Sequence, residues 1–417
     1  MLGFLVGRRL VRLQAPDLVI DSASLGNLSA LAACEAGGGP VLWLAGDEAI
    51  RFGSTADEAA QALKRNAILI LRPDWESSAG AGGFALSEVV PLRALIPNVA
   101  LAVDKKGHEE EVDIEGLDLD DEVLWVTGSH SSKRKKPKGG DDAAARLAVI
   151  ATDPNRALLA RIPISGGRPV AAALDANDPE RMLTAAVLPL TGAEAEASNA
   201  LTDALRDDPH LGPFVRPLTG AAGEPLGLLP GKDNGFDIEG IAVRRGRVYL
   251  GLRGPVLRGW AMILVIRPED DGNGQLHLIP EAGGRRVVKL FVHLHGMGVR
   301  DLAFDGDDLL ILAGPTMDVD GTQAVWRLTR PEDLTPDSLS EAAEPGSAGA
   351  GRLSRLFDIP TDGSGDRAEG LCRFDQGGER VVLITYDQTG PLRHLPGDAG
   401  MPRPEAVYLD LFRLPPQ

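Results

Sequence analysis

Five segments of the chain share one order of hydrophobic and polar positions. Each begins at a polar or small residue, continues as a short alternating strand, turns, and then enters a strongly apolar strand. This order is typical of an antiparallel hairpin whose second strand is well buried. The apolar second strands are PVLWLAGD (40–47), EVLWVTGSH (122–130), RVYLGLRG (247–254), LLILAGP (309–315) and RVVLITYD (380–387).

The first strands of these hairpins align on one acidic corner. The letters Asp-Ile-Glu-Gly occur at both 113–116 and 237–240, which indicates an internal repeat. The aligned positions are Ser29, Glu115, Glu239, Asp301 and Glu369. We therefore predict that the first strands of successive repeats are 29–35, 113–119, 237–243, 299–305 and 367–374.

A third apolar strand follows in most repeats and ends at Arg-Pro or Asp-Pro, because proline cannot continue a central ladder. The third strands predicted in this way are 67–73, 146–154, 260–268 and 323–331, and outer strands are expected at 157–164 and 355–361. Four antiparallel strands that recur along a chain form a β-propeller blade. The pattern predicts an all-β, single-domain propeller over 1–417 with five four-stranded blades, and a sixth degenerate blade inside 165–230 is the alternative.

Short helical insertions lengthen two of the predicted blades. Thr55 to Glu58 has the form of a capping box, which predicts a helix near 55–66. A second helix is predicted near 194–206. The last strand, 406–415, is placed to pair with N-terminal residues and close the ring.

Composition limits which binding partners and which cellular compartment are expected for this chain. Formal net charge is −17, from 43 Lys and Arg against 60 Asp and Glu, which repels a phosphate backbone and argues against nucleic acid. The start of the chain is the reverse of a secretory signal and no apolar run approaches a membrane span, so a cytoplasmic protein is expected. Cys34 and Cys372 are too few for a disulfide framework and are expected to be buried.

The repeated acidic corner has three interpretations. In a propeller the first strands line the central channel, so the aligned residues converge on one axis. Glutamates there could lock blade to blade by accepting backbone N–H bonds or pairing with arginines. A second interpretation is a divalent cation such as calcium, held by Glu115, Glu239, Asp301 and Glu369, with further oxygens from Asp47 and Asp387.

The third interpretation is anion binding or phosphoester chemistry at the channel mouth. His130 ends one apolar strand and could transfer a proton, while Arg253, with Arg258 nearby, could hold a phosphate or carboxylate. These two residues, His130 and Arg253, are the predicted catalytic pair. Two weaker signals are the pair His293 and His295 on one strand face, and the basic run 131–142, interpreted as a loop that could fold back onto the acidic surface.

The stretches GSHSSKR (128–134), GFDIEGIAV (235–243) and GLRGPVLRGWA (251–261) resemble a bacterial family of predicted β-propellers classified as a domain of unknown function. More distantly, the acidic-x-Glu-Gly-Ile/Leu motif is similar to that of the esterase-like phytase family. The first resemblance implies a propeller without an assigned activity. The second implies a metal-dependent hydrolase.

Two functional classes follow from the sequence. One is a non-catalytic propeller that binds a small ligand, a cation or a protein partner at an acidic axial funnel. The alternative is a metal-dependent hydrolase of a phosphoester or lactone, as the phytase-like resemblance implies. Whether the chain is an enzyme is not decided by the fold, because propellers carry both kinds of function.

Overall fold

The computed structural model describes residues 4–15, 17–21, 28–36, 39–74, 83–140, 142–191, 198–281, 283–342, 351–360, 366–376, 378–388, 394–396 and 402–415. Strands dominate throughout, so the predicted all-β class is confirmed. The main strands form five antiparallel units, numbered here 1 to 5 in chain order of their first strands.

Each unit is described from its first strand outward. Unit 1 contains Ala30–Ala36, Gly39–Ala45, Ala67–Asp74 and Gly83–Pro91. Unit 2 contains Ile114–Asp120, Val123–Gly128 and Leu159–Ser165. The short strands Arg168–Pro169 and Ala186–Val187 each pair antiparallel with Leu159–Ser165. Unit 3 contains Asp237–Arg244, Arg247–Gly254, Trp260–Ile266 and Val288–His293, and Ser338–Ser340 adds in parallel.

The remaining two units complete the series. Unit 4 contains Gly298–Asp305, Asp308–Gly314, Ala324–Leu328 and Leu353–Asp358. Unit 5 contains Arg367–Gln376, Glu379–Gln388, Pro402–Arg413 and the N-terminal strand Leu5–Arg12, with His394–Pro396 alongside. Short strands outside the units are Gln14–Ala15, Leu18–Ile20, Phe52–Gly53, Lys133–Arg134, Ile150–Ala151, Ala172–Leu174, Met182–Thr184, Leu190–Thr191, Ser198–Asn199, Pro268–Asp270 and Leu276–Leu278.

The two ends of the chain meet in unit 5. Leu5–Arg12 pairs antiparallel with Pro402–Arg413, so the predicted pairing of the last strand with N-terminal residues is present. The same N-terminal strand also pairs in parallel with unit 1 at Val11 and Phe84, which joins units 5 and 1 into one sheet. The first strands contact one another in the circular order 1, 2, 3, 4, 5 and back to 1. They are called the inner strands below.

The hydrophobic core is divided into five layers, each between two neighbouring units. Trp43 of unit 1 packs with Val126 of unit 2, for example, and Tyr249 of unit 3 packs with Trp326 of unit 4. Successive side chains of a strand point to opposite faces of the sheet, so each central strand contributes side chains to two core layers. Both faces of each unit pack against a neighbouring unit. A single unit could therefore not bury its apolar side chains on its own.

The helices are short and lie between strands. They are Ala56–Gln61, Leu92–Leu95, Ala143–Leu147 and Ala200–Leu205, with 3-10 turns at Pro154–Ala157, Gly212–Phe214, Gly231–Asp233 and Pro331–Asp333. Only half of the predicted capping box is present. Thr55 Oγ1 accepts the Glu58 amide at 3.2 Å, but Glu58 Oε2 accepts the amide of Ser54, at 3.0 Å, and not that of the N-cap Thr55. Of the second predicted helix, 194–197 lies outside the described residues and the described helix begins after Asn199.

One predicted strand is wrong. Residues 146–154 are not the third strand of unit 2; that place is taken by Leu159–Ser165, which had been expected as the outer strand. The physical reason is local, since Ile150–Ala151 pairs with Lys133–Arg134 and Pro154 begins a 3-10 turn. In the part of the chain that the structure describes, no helix is long and apolar enough to cross a membrane.

The glycine after each inner-strand glutamate allows the inner strands to approach one another. A Cβ at Gly240 would lie 2.7 Å from Asp301 Cα. We therefore expect Gly240→Ala to destabilise the fold by about 1–3 kcal/mol through overpacking. Chemical denaturation measures this, with Gly139→Ala as the control because a Cβ at Gly139 has no neighbour within 4 Å. Equal unfolding midpoints for the two variants would contradict the close approach.

Candidate functional site at the channel mouth

A bulge turns the repeated glutamate out of the ladder in three units. Glu115, Glu239 and Glu369 are each the extra residue of the inner strand, skipped between two paired neighbours. A bulged residue is left unpaired and its side chain is re-aimed, here toward the axis that the inner strands surround. In unit 1 the aligned Ser29 precedes the strand, and its hydroxyl donates to the Ile114 carbonyl at 2.6 Å.

In unit 4 the bulged residue is Arg300, not Asp301. Val299 pairs with Ala313 and Asp301 pairs with Leu312, so the skipped residue lies between them. The alignment on Asp301 was therefore displaced by one position. The sequence places Arg300 and Asp301 side by side, and only the bulge register distinguishes which one faces the axis.

Asp301 occupies the position that glycine holds in other units. Gly116 and Gly370 lie against the inner strand of the next unit, where a Cβ would meet Ile241 and Leu31 respectively. The Asp301 carboxylate instead accepts the amides of Leu302 at 2.8 Å and Leu371 at 2.6 Å, which ties unit 4 to unit 5. Burial raises the pKa of Asp301 well above its ordinary value. Asp301 thus locks two units and does not join the three glutamates.

Arginines neutralise two of those glutamates. Arg300 Nη1 lies 2.9 Å from Glu239 Oε2 and 2.5 Å from Glu369 Oε1. Arg253 pairs with Asp237 and, at 2.5 Å, with Glu239. The guanidinium of Arg253 is therefore held by carboxylates of its own unit. This placement does not match the expected anion-binding arginine, because both of its terminal nitrogens already have anionic partners.

Three further carboxylates at the mouth lack such partners. Arg253 and Asp387 are equivalent, since each is an extra residue on the second strand of its unit. Asp47 follows the second strand of unit 1 at the corresponding place. Within the described residues, Asp47 Oδ1 and Asp387 Oδ1 are buried without a hydrogen bond, and Glu115 has neither a hydrogen-bond nor an ion-pair partner.

The electrostatics of these three groups follow from burial and crowding. Burial, followed by the nearby charges of Asp113 and Glu369, raises the pKa of Asp47 to about 8. Burial, followed by Glu369 and Asp47, raises the pKa of Asp387 to about 9. The pKa of Glu115 is also raised well above its ordinary value, by burial first and then by neighbouring carboxylates. The side of the mouth formed by units 5, 1 and 2 therefore carries three carboxylates that have no ion-pair partner among the described residues.

His130 lies inside unit 2 and not at the rim of the channel. Its side chain is fully buried, with Nδ1 2.9 Å from the Gly128 carbonyl and Nε2 2.8 Å from Asn199 Nδ2. Burial lowers the pKa of His130 to about 4, so the ring is neutral near pH 7. The expectation of a proton-transferring rim histidine is corrected, because both ring nitrogens are already engaged. Asn199, the helix N-cap that orients this ring, carries no sequence signal for that role.

The basic run 131–142 partly folds back onto acidic side chains. Lys133 Nζ lies 2.8 Å from Asp153 Oδ2, and Arg134 Nε lies 2.6 Å from Asp233 Oδ2. Lys135, Lys136 and Lys138 are exposed. Beside this run, the buried Arg156 pairs with Asp113 at 2.5 Å, an ion pair that the sequence pattern did not indicate.

The opposite end of the inner strands encloses a cavity with both apolar and polar lining. The cavity, of about 210 Å³, is lined by residues of all five inner strands: Leu31, Ala32, Ala33, Asp118, Leu119, Val243, Ala303, Phe304, Leu371, Cys372 and Arg373. Asp118 in this cavity accepts the Val243 amide at 2.6 Å and so ties unit 2 to unit 3. Burial raises the pKa of Asp118 to about 7. Cys372 is buried and Cys34 half-buried, and both are free thiols.

Among the described residues, no three His, Cys, Asp or Glu side chains are grouped closely enough to hold a metal ion. The unpartnered oxygens of Asp47 and Asp387 nevertheless fit a cation chemically, because carboxylates are hard oxygen donors. Glu239 and Glu369 fit less well, since arginines already balance their charge.

These features define an all-β protein whose repeated antiparallel units contact one another through their inner strands in a closed circle. The chain belongs to the family described as "Protein of unknown function (DUF3616)", whose family model matches residues 27–399. The resemblance to a domain-of-unknown-function family is thereby confirmed. No curated protein matches the sequence.

Solved structures with a similar fold have low sequence identity. PhoX of Pseudomonas fluorescens, in complex with vanadate, is 13% identical with a TM-score of 0.40, covering 99% of this chain and 96% of that one. The GH43 endo-arabinanase of Bacillus licheniformis is 10% identical with a TM-score of 0.33 and covers 96% of each chain. The Trypanosoma rangeli sialidase with the inhibitor DANA is 10% identical with a TM-score of 0.28, covering 97% and 59%. These TM-scores are too low to support an argument about function.

The crowded carboxylates predict an unusual pH dependence of stability. A carboxyl whose pKa rises from 3.8 to about 9 on folding retains its proton in the folded state, so stability falls as pH rises across that interval. We expect Asp387→Asn to raise the free energy of unfolding at pH 8 by about 1–3 kcal/mol and to flatten its decline between pH 5 and 9.

The measurement is chemical denaturation at several pH values. Asp320→Asn, at an exposed position, is the control and should leave the pH profile unchanged. An Asp387→Asn profile that parallels the wild type would mean that the Asp387 carboxyl is not crowded at the mouth.

Proposed function

We propose that this protein is a five-bladed β-propeller that binds a small cation at the mouth of its central channel. Units 1 to 5 are taken as the blades. Supporting this count, the inner strands form a closed circle of contacts and the core divides into five layers. The described part of 165–230 contributes no strand to that circle, which favours five blades over six.

The observation that carries the proposal is the uneven distribution of charge around the mouth. Arg253 of unit 3 pairs with Glu239 of the same unit, and Arg300 of unit 4 pairs with Glu239 and with Glu369 of unit 5. Asp47, Glu115 and Asp387 come from units 1, 2 and 5, which are adjacent around the ring, and they have no ion-pair partner among the described residues. Crowded buried carboxylates remain protonated or attract a cation, because unpaired buried charge is costly.

The chemistry of the ligands favours a hard cation. Carboxylate oxygens suit calcium, which takes six to eight oxygen ligands in flexible geometry and accepts water among them. Because no three of the described carboxylates are grouped closely enough to ligate one ion directly, water would supply part of the coordination shell. An organic ammonium group could use the same oxygens through N–H donors. Both are small cations, and the titration below distinguishes them.

The hydrolase alternative receives less support from the site. Hydrolysis of a phosphoester or lactone needs a proton-transferring group and a group that stabilises developing negative charge. His130 is buried with both ring nitrogens hydrogen-bonded, and Arg253 is held by Asp237 and Glu239. The proposal is therefore binding and not turnover. A cytoplasmic location and a small anionic or protein partner remain predictions, and the net charge of −17 disfavours nucleic acid.

Calcium binding should stabilise the folded protein. A ligand at a concentration of 100 Kd adds about 2.7 kcal/mol to the free energy of unfolding. We expect chelator-treated wild type to unfold at a higher temperature when CaCl₂ is restored, and titration calorimetry to give one binding event. Asp47→Asn, Glu115→Gln and Asp387→Asn should each lose most of this response, while the exposed control Asp320→Asn should retain it.

Glu239→Gln provides a matched contrast at the same mouth. Glu239 is already paired with Arg253 and Arg300, so its substitution should lower stability to the same extent with and without calcium. A second titration with 1,4-diaminobutane tests the organic cation. Wild-type protein that responds to neither probe, or carboxylate variants that respond as fully as wild type, would refute the proposal.

A further inference from the structure

A row of four aromatic rings lies between units 3 and 4, away from the channel mouth. Ring centroids are 5.0 Å apart for Trp260 and His293, 5.2 Å for His293 and His295, and 5.5 Å for His295 and Trp326. His293 ends the outer strand of unit 3 and is half-buried, while His295 is exposed. The two imidazoles are thus neighbours at the surface, between two tryptophans.

Neither imidazole is used by the fold. In the described part of the chain, the side chains of His293 and His295 make no hydrogen bond or ion pair, in contrast to the fully engaged His130 side chain. Gly259 lies beside one ring nitrogen of this pair, because a Cβ at Gly259 would lie 3.2 Å from His293 Nε2. A side chain at position 259 would therefore crowd that nitrogen, and glycine avoids this.

The backbone presents the second histidine in a strained conformation. His295 has a φ of 56°, in the left-handed region that residues other than glycine seldom adopt. Such strain clusters at functional sites, where surrounding structure maintains it. Because His295 is exposed, its ring can turn without displacing core side chains.

We propose that His293 and His295 form a surface site for a divalent transition-metal ion such as Zn²⁺, Cu²⁺ or Ni²⁺. A metal about 2.0 Å from a ring nitrogen lies about 3.2 Å from the ring centre, so two imidazoles at a tetrahedral angle have centroids about 5 Å apart. The observed separation of 5.2 Å is close to this spacing. The two rings meet edge to face, with an interplanar angle of 76°, so the exposed His295 ring has to turn for a nitrogen of each ring to face one ion. Two imidazoles leave coordination positions for water or a further ligand, as in open zinc sites.

This site is chemically distinct from the carboxylates of the channel mouth. Imidazole selects zinc, copper and nickel, whereas carboxylate oxygens select calcium and magnesium. The proposal therefore does not depend on the cation site at the mouth. The adjacent Trp260 and Trp326 provide a spectroscopic signal, since bound Cu²⁺ quenches nearby indole fluorescence.

The experiment is titration of untagged full-length protein with CuSO₄ by fluorescence and with ZnCl₂ by calorimetry. We expect one ion per chain with quenching in the wild type. His293→Ala and His295→Ala should each weaken binding by about a hundredfold, because one imidazole cannot chelate. His277→Ala removes another exposed histidine and should bind as wild type.

Folding of each variant is checked by thermal unfolding, and His293→Gln serves if His293→Ala fails to fold because the half-buried position is emptied. Absence of binding in the wild type would overturn the proposal. Equal affinity in the folded His293 and His295 variants would do the same, because the ion would then be bound elsewhere.

Discussion

The close packing of five inner strands around one axis is the constraint on which the rest of this structure depends. At three of these contacts the strands leave no room for a Cβ, and Gly116, Gly240 and Gly370 lie there. In unit 4 the same position holds Asp301, whose carboxylate accepts backbone amides. The bulge just before each glycine turns a glutamate out of the ladder and into the channel. The Glu-Gly pair is thus one device, in which one residue faces the axis and the other permits the contact.

The same packing brings like charges together, and the units resolve the resulting repulsion in different ways. Arg300 replaces the glutamate in unit 4 and bridges Glu239 and Glu369. Arg253 stands where Asp387 stands in unit 5. Repetition explains the architecture, because each unit contacts its two neighbours through its inner strand. Departures from repetition explain the chemistry, because they leave one side of the mouth neutralised and the other side acidic.

Aspartates also serve as locks between neighbouring units. Asp301 accepts the Leu371 amide and Asp118 accepts the Val243 amide, so each carboxylate joins two inner strands. Burial raises the pKa of both groups. Buried carboxyls that already have backbone donors are structural. The contrast with Asp47 and Asp387, whose buried oxygens lack donors in the described residues, separates locks from the candidate site.

The sequence alone determined the all-β class, the approximate positions of the five inner strands and the closing pair of terminal strands, because alternation, turns and repetition are local patterns. It could not determine which of Arg300 and Asp301 faces the axis, because a bulge shifts the register by one residue and only strand pairing places it. The sequence could also not distinguish His130 from His293 and His295. Both ring nitrogens of His130 have partners, at Gly128 and Asn199, whereas the ring nitrogens of His293 and His295 have no hydrogen bond among the described residues. Burial and partners distant in sequence decide what an ionisable side chain can do, and those are set only when the units pack together.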